Sequence, residues 1–150
     1  VDGEDLGHYG DDHQRVDRRH GTLTMAKYDF GDGNGPVDAH QHANGGGWVA
    51  DTAVVDDAVW IDAGAKVYGN AWVCGDAWIY ESAQIRGNAF VDHEAQVFGN
   101  CIIEGTARVD GESRIYGNAI IRGASELYGC TFIGGNEVVE DEILHDEQRP

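Results

Sequence analysis

Between Gly47 and Glu142 the chain repeats itself every six residues, with no insertion or deletion. From Ala65 the blocks read AKVYGN, AWVCGD, AWIYES, AQIRGN, AFVDHE, AQVFGN, CIIEGT, ARVDGE, SRIYGN, AIIRGA, SELYGC and TFIGGN. The same frame runs back through GWVADT, AVVDDA and VWIDAG. The third place of every block is Val, Ile or Leu, from Val49 to Val139. The first is nearly always small, as in Ala65, Ala83, Cys101 and Ser113, while the fifth is mostly Gly and the sixth often Asn. A fixed short period restricts the fold more than any other feature, because it marks a repeat architecture. Apolar residues at this spacing cannot make a helical face, which needs one every three or four residues. They suit a short strand with one aliphatic side chain inward, followed by a Gly-Asn corner where positive φ costs little. Three strands and three corners close one turn of eighteen residues, and successive turns stack at about 4.8 Å. The expected fold is all-β, a triangular solenoid of about five turns.

Residues eighteen apart then lie above one another, and the outward places resolve into three faces. The first face carries Arg86, Glu104, Arg122 and Glu140 in one column. That is a charge ladder worth about a few tenths of a kcal/mol per pair. The second face ends in an acidic corner of Asp56, Asp57, Asp76, Asp92, Glu94, Asp110 and Glu112. On the third, Trp60, Trp78 and Phe132 share one column and Tyr80, Phe98 and Tyr116 the next. Aromatics gathered on one outer face point to a buried contact, although strands favour aromatic residues in any case. Closed symmetry lets copies of the chain hide such faces around one axis, so a homo-oligomer is the expected assembly.

The formal charge of −17 repels nucleic acid and anionic membrane, so neither is an expected partner. No apolar run reaches the length of a membrane span. Residues 1–46 read as an N-terminal arm, 47–142 as the solenoid and 143–150 as a tail. Val1 to His20 is polar and charged, a composition that does not fold alone. A neighbouring subunit or a larger assembly is the expected support for it. Thr22 to Phe30 reads as one strand, with Leu23 and Met25 on one side and Tyr28 and Phe30 on the other. A glycine-rich loop, Gly31 to Pro36, follows. Trp48 is placed to cover the open end of the coil, where bare strand edges invite stacking. Glu137 occupies a small inward place, which a carboxylate tolerates only at an open last turn, so the coil is expected to stop near Glu142.

Few residues offer chemistry. His40 and His42 are two apart, so on a strand both face one way, and across a symmetric interface they could meet a metal. The plainer reading is a polar lead-in to the coil. Asp29, Asp32, Asn34 and Asp38 carry oxygen ligands on a flexible loop, but without the full calcium-loop spacing, and turn chemistry accounts for them. Three cysteines make no disulfide framework. Cys101 takes a small inward place and reads as a buried hydrophobe. His93, between Asp92 and Glu94, is a candidate general base, and the plainer reading is a solvated corner. No cofactor is implied.

The lead-in GGGWV and the run AKVYGNAWV resemble bacterial and bacteriophage hexapeptide-repeat proteins of unassigned function. The resemblance implies a left-handed parallel β-helix over about two-thirds of the chain. It also brings two activities into question, acyl transfer and γ-class carbonic anhydration. The acyltransferases of this group place a catalytic His beside a loop that leaves the coil, and no loop leaves the coil here. The anhydrases need three zinc-binding His from neighbouring turns, and the hexads hold His93 alone. The resemblance also implies a homotrimer, and the leading expectation is a non-enzymatic trimeric solenoid in a virus particle (a decoration, spike or fibre module) or another extracellular assembly, with a cytoplasmic location as the alternative. The alternatives are an acyltransferase-like enzyme with an intersubunit site and a carbohydrate-binding surface using Trp60, Trp78 and Tyr80.

Overall fold

The computed structural model describes residues 15–17, 22–24 and 26–149, and among these there is no helix. Short parallel strands form a three-sided solenoid, each side a stack of six. The first side holds Trp48–Ala50, Lys66–Val67, Gln84–Ile85, Ile102–Ile103, Ile120–Arg122 and Val138–Glu140. The second holds Val54–Val55, Trp72–Val73, Phe90–Val91, Arg108–Val109, Glu126–Tyr128 and Ile143–His145. The third holds Trp60–Ile61, Trp78–Ile79, Gln96–Val97, Arg114–Ile115, Phe132–Ile133 and Gln148–Arg149.

Register follows the repeat. Trp78 pairs with Trp60 on one side and Gln96 on the other, each eighteen residues away. The third-place aliphatics fill the interior with no exposure at all, except Val55 on the first turn, which is only partly buried. The small first-place residues are buried beside them. Where that place is polar, its hydroxyl is satisfied by backbone: Ser113 Oγ donates to Asp110 O at 2.9 Å, and Thr131 Oγ1 to Tyr128 O at 2.7 Å. The corners need glycine for two reasons. At Gly87, φ is +70°, and a Cβ there would come within 3.0 Å of Gly105 N on the next turn.

The coil does not stop at Glu142. It makes about six turns rather than five, because the tail continues it with two shortened corners. Glu126 pairs with Ile143, seventeen residues on, and Phe132 with Gln148, sixteen on. Asp141 and Asp146 take the corner positions at φ 57° and 56°, and Leu144 fills the inward place. The last turn carries glutamate where earlier turns carry small residues. Glu142 N donates to Ser125 Oγ at 3.3 Å and Glu147 N to Thr131 Oγ1 at 3.4 Å, so both stack on the small column. Arg149 then binds Glu142 at 2.8 Å, Glu147 at 3.2 Å and Glu137 at 3.4 Å. One guanidinium and three carboxylates close this end with charge, not with an apolar plug.

The arm also differs from expectation. Thr22 to Phe30 is not one strand. β1 (Arg15–Asp17) pairs antiparallel with β2 (Thr22–Thr24), while β3 (Lys27–Asp29) pairs with β4 (Pro36–Gln41). The rest of Val1 to His20 lies outside the described residues. β3 is held by its rings: Tyr28 stacks on Trp48 at 4.6 Å, and Phe30 stacks on Tyr68 at 4.6 Å. Together with Val37, Ala39 and Ala50 they form a second apolar cluster outside the first side. Trp48 therefore lies under Tyr28 on the outer surface, not over the open end. β4 covers the first-side edge, pairing antiparallel with β5 (Trp48–Ala50). Residues 42–47 cover the third-side edge, through Ile61 N to Asn44 O at 3.0 Å and Gly47 N to Ile61 O at 2.9 Å.

Candidate functional site

The third side presents its aromatics as two neighbouring rows. In one, Trp60 and Trp78 are 40% and 46% exposed, and the Arg114 guanidinium lies 5.4 Å from the Phe132 ring centre. In the other, Tyr80 meets Phe98 edge-on at 6.3 Å, and Phe98 stacks on Tyr116 at 5.6 Å. Trp78 crosses to Tyr80 at 5.3 Å and joins the rows. The Tyr116 ring lies over Gly134, where any Cβ would sit 2.1 Å from a ring carbon. Asp62 fixes the upper end, accepting Trp60 Nε1 at 2.7 Å and Glu81 N at 2.8 Å. Burial, and then the Asp62 charge, push the Tyr80 phenol up. Between the rings, Asp62, Tyr80, Glu81, Gln96 and Phe98 line a shallow cleft.

The second side holds a further stripe that the sequence reading passed over. Val54, Trp72 and Phe90 stand on successive turns, with Trp72 51% exposed. Trp72 and Phe90 meet at 5.6 Å, and the Arg108 guanidinium lies over Phe90 at 4.6 Å. The eighteen-residue column was signal enough to find these residues.

The acidic corner joins the second side to the third. His93 sits there at φ 59°, in the place held by Gly75 and Gly111 on the adjoining turns. Its Nδ1 bonds Asp110, with Asp92 at 3.5 Å. Burial draws the Asp92 carboxyl up, but hydrogen bonds from His93 N–H and the Cys74 thiol outweigh it and hold the group low. The ligand atoms of Asp92, His93 and Asp110 lie within 4.8 Å of one another, the spacing of a small cation site on an exposed corner. As general base, His93 has no activated nucleophile beside it. Burial, and then the Asp92 hydrogen bond, push the Cys74 thiol up to about 12, so it stays protonated at neutral pH.

The remaining candidates have separate partners. His40 Nδ1 bonds Asp51 Oδ1 at 2.8 Å. Buried His42 bonds Val59 O through Nε2 at 2.8 Å; a carbonyl only accepts, so that nitrogen carries the proton. Asp29 and Asp32 make turn bonds, to Gly31 N at 2.8 Å and Asn34 N at 3.0 Å, and Asp38 pairs with Lys27 at 2.9 Å. Cys101 is buried and Cys130 exposed. No family model, curated protein or solved structure matches the chain.

Proposed function

We propose that this protein is a non-enzymatic structural solenoid of the hexapeptide-repeat kind, assembled as a homotrimer within a virus particle or another extracellular structure. The observation that carries this reading is the third-side aromatic surface, in which Trp78, Tyr80, Phe98 and Tyr116 are in ring contact and Trp60 and Phe132 stand in the same row as Trp78. Trp60 and Trp78 are 40% and 46% exposed, whereas Tyr80, Phe98, Tyr116 and Phe132 are mostly covered, so the six rings supply the apolar centre of a contact rather than its full area. A standard interface takes roughly 800 Å² from each partner, so the residues between and around the rings must contribute the remainder of the contact. The coil supports the same reading, since no loop leaves it to build a reaction site between Trp48 and Arg149. Sedimentation equilibrium tests the proposal, using wild type and a Trp78→Ser, Phe98→Ser variant. The wild type is expected as a trimer and the variant as a monomer with unchanged circular dichroism. A wild type that stays monomeric at tens of micromolar sinks the idea.

One observation favours a second reading, a carbohydrate-binding face. The cleft of Tyr80 and Phe98 pairs ring surfaces with the polar groups of Asp62, Glu81 and Gln96, a combination suited to sugar rings. Retardation of a monomeric wild type in gels containing soluble polysaccharide, relieved by Tyr80→Ser, would select it.

A further inference from the structure

We propose that the second side, together with the acidic corner beside it, binds arginine side chains of a basic protein partner. The molecule already makes this contact once within itself. The Arg108 guanidinium lies 4.6 Å from the Phe90 ring centre, and its Nη2 is 3.8 Å from Asp110. That places a ring below and a carboxylate beside, the two kinds of partner a planar guanidinium takes. One turn earlier the same column presents Trp72, half exposed, and among the described residues no cation lies over it. Trp72 also has the acidic surroundings that Phe90 has. Asp56 and Asp92 stand in the neighbouring row, one turn to either side, and Asp76 follows at the corner. Neighbouring rows on one strand are roughly 7 Å apart and turns about 4.8 Å, so a guanidinium over Trp72 reaches these carboxylates.

Asp56 accepts from Gly75 N at 3.4 Å and Asp92 from His93 N at 2.6 Å, each with charge left to share, and other carboxylates of the corner are unengaged. Among the described residues, the side chains of Asp57, Asp76 and Glu94 have no hydrogen-bond or ion-pair partner. Asp76 and Glu94 line the depression around His93, with Asp92 and Glu112. A surface of this sign on a chain of charge −17 selects a basic occupant. The exposed indole selects arginine over lysine, because the guanidinium is planar and weakly hydrated whereas an ammonium is a compact, strongly hydrated charge. The surface lies on a different side from the aromatic rows of the proposed trimer, so the two can be occupied together and tested apart.

The experiment is calorimetric titration of the full chain with hexa-arginine and hexa-lysine peptides at physiological ionic strength. The wild type is expected to bind hexa-arginine about tenfold more tightly than hexa-lysine. Trp72→Ser should abolish that preference, and Asp76→Asn with Asp92→Asn should weaken both peptides. Trp78→Ser, on the third side, should leave the preference intact. Circular dichroism establishes that each variant folds, and sedimentation that Trp72→Ser leaves the oligomer unchanged. Equal affinity for the two peptides would mean charge attraction alone and overturn the proposal. So would a preference that survives Trp72→Ser, or one lost with Trp78→Ser.

Discussion

His93 shows how little chemistry a suggestive side chain can carry. It holds a left-handed backbone position, φ 59°, that adjoining turns give to Gly75 and Gly111. A side chain there costs about 1–2 kcal/mol, and an exposed pair with Asp110 returns about 0–1 kcal/mol. Glycine loses more chain entropy on folding, about 0.5–1 kcal/mol. These terms nearly cancel, so His93→Gly should change stability by no more than about 1 kcal/mol in either direction, measured by urea denaturation. A loss above that size would mean the imidazole is anchored by more than the corner shows. Cys74 gives a pH dependence of definite sign. Its thiol is raised from 9.0 to about 12, so the folded state favours the protonated form. The stabilisation is complete below pH 9 and is lost as pH rises through 12. Wild type should lose stability across that window more steeply than Cys74→Ala. Parallel denaturation curves for the two would rule the coupling out.

The last turn depends on a single cation. Arg149 is the counter-charge to Glu137, Glu142 and Glu147, which occupy places that hold small residues on the turns before. Arg149→Ala should cost about 1 kcal/mol, since the groups are partly solvated. It should speed hydrogen exchange in Ile143–His145 and Gln148–Arg149 while leaving Gln96–Val97 protected. Uniform loss of protection would show instead that the coil opens as one unit. This turn was hidden in the sequence because its corners are one residue short. Past Asp141 the hexad frame fails, although Leu144 still takes the inward place. Within the unbroken frame the sequence was legible residue by residue, since one aliphatic in six has only one place to go. The third-side rows followed from the same columns, and so could Trp72 and Phe90. The arm was not legible, because alternation cannot show a change of partner, and Thr22–Thr24 and Lys27–Asp29 pair with different strands. Nor could the spacing of His40 and His42 place them together. β4 ends at Gln41, so the period of two does not extend to His42.

Both ends of the molecule discourage growth along the axis. β4 and residues 42–47 cover two of the three edges at the start, and the Arg149 cluster closes the finish with charge. Exposed strand edges are what invite end-to-end stacking, and the proposed assembly uses the sides instead. The sides differ in their response to salt. Subunits of charge −17 repel one another, and an apolar contact between their third sides must overcome that repulsion. Raising salt from about 0.01 M to 1 M shortens the screening length from about 30 Å to about 3 Å. The proposed trimer should therefore tighten with salt, whereas arginine binding at the acidic corner should weaken over the same range. Sedimentation and calorimetry across one salt series measure both. A trimer that dissociates as salt rises would mean that ion pairs between subunits, not the aromatic rows, hold it together.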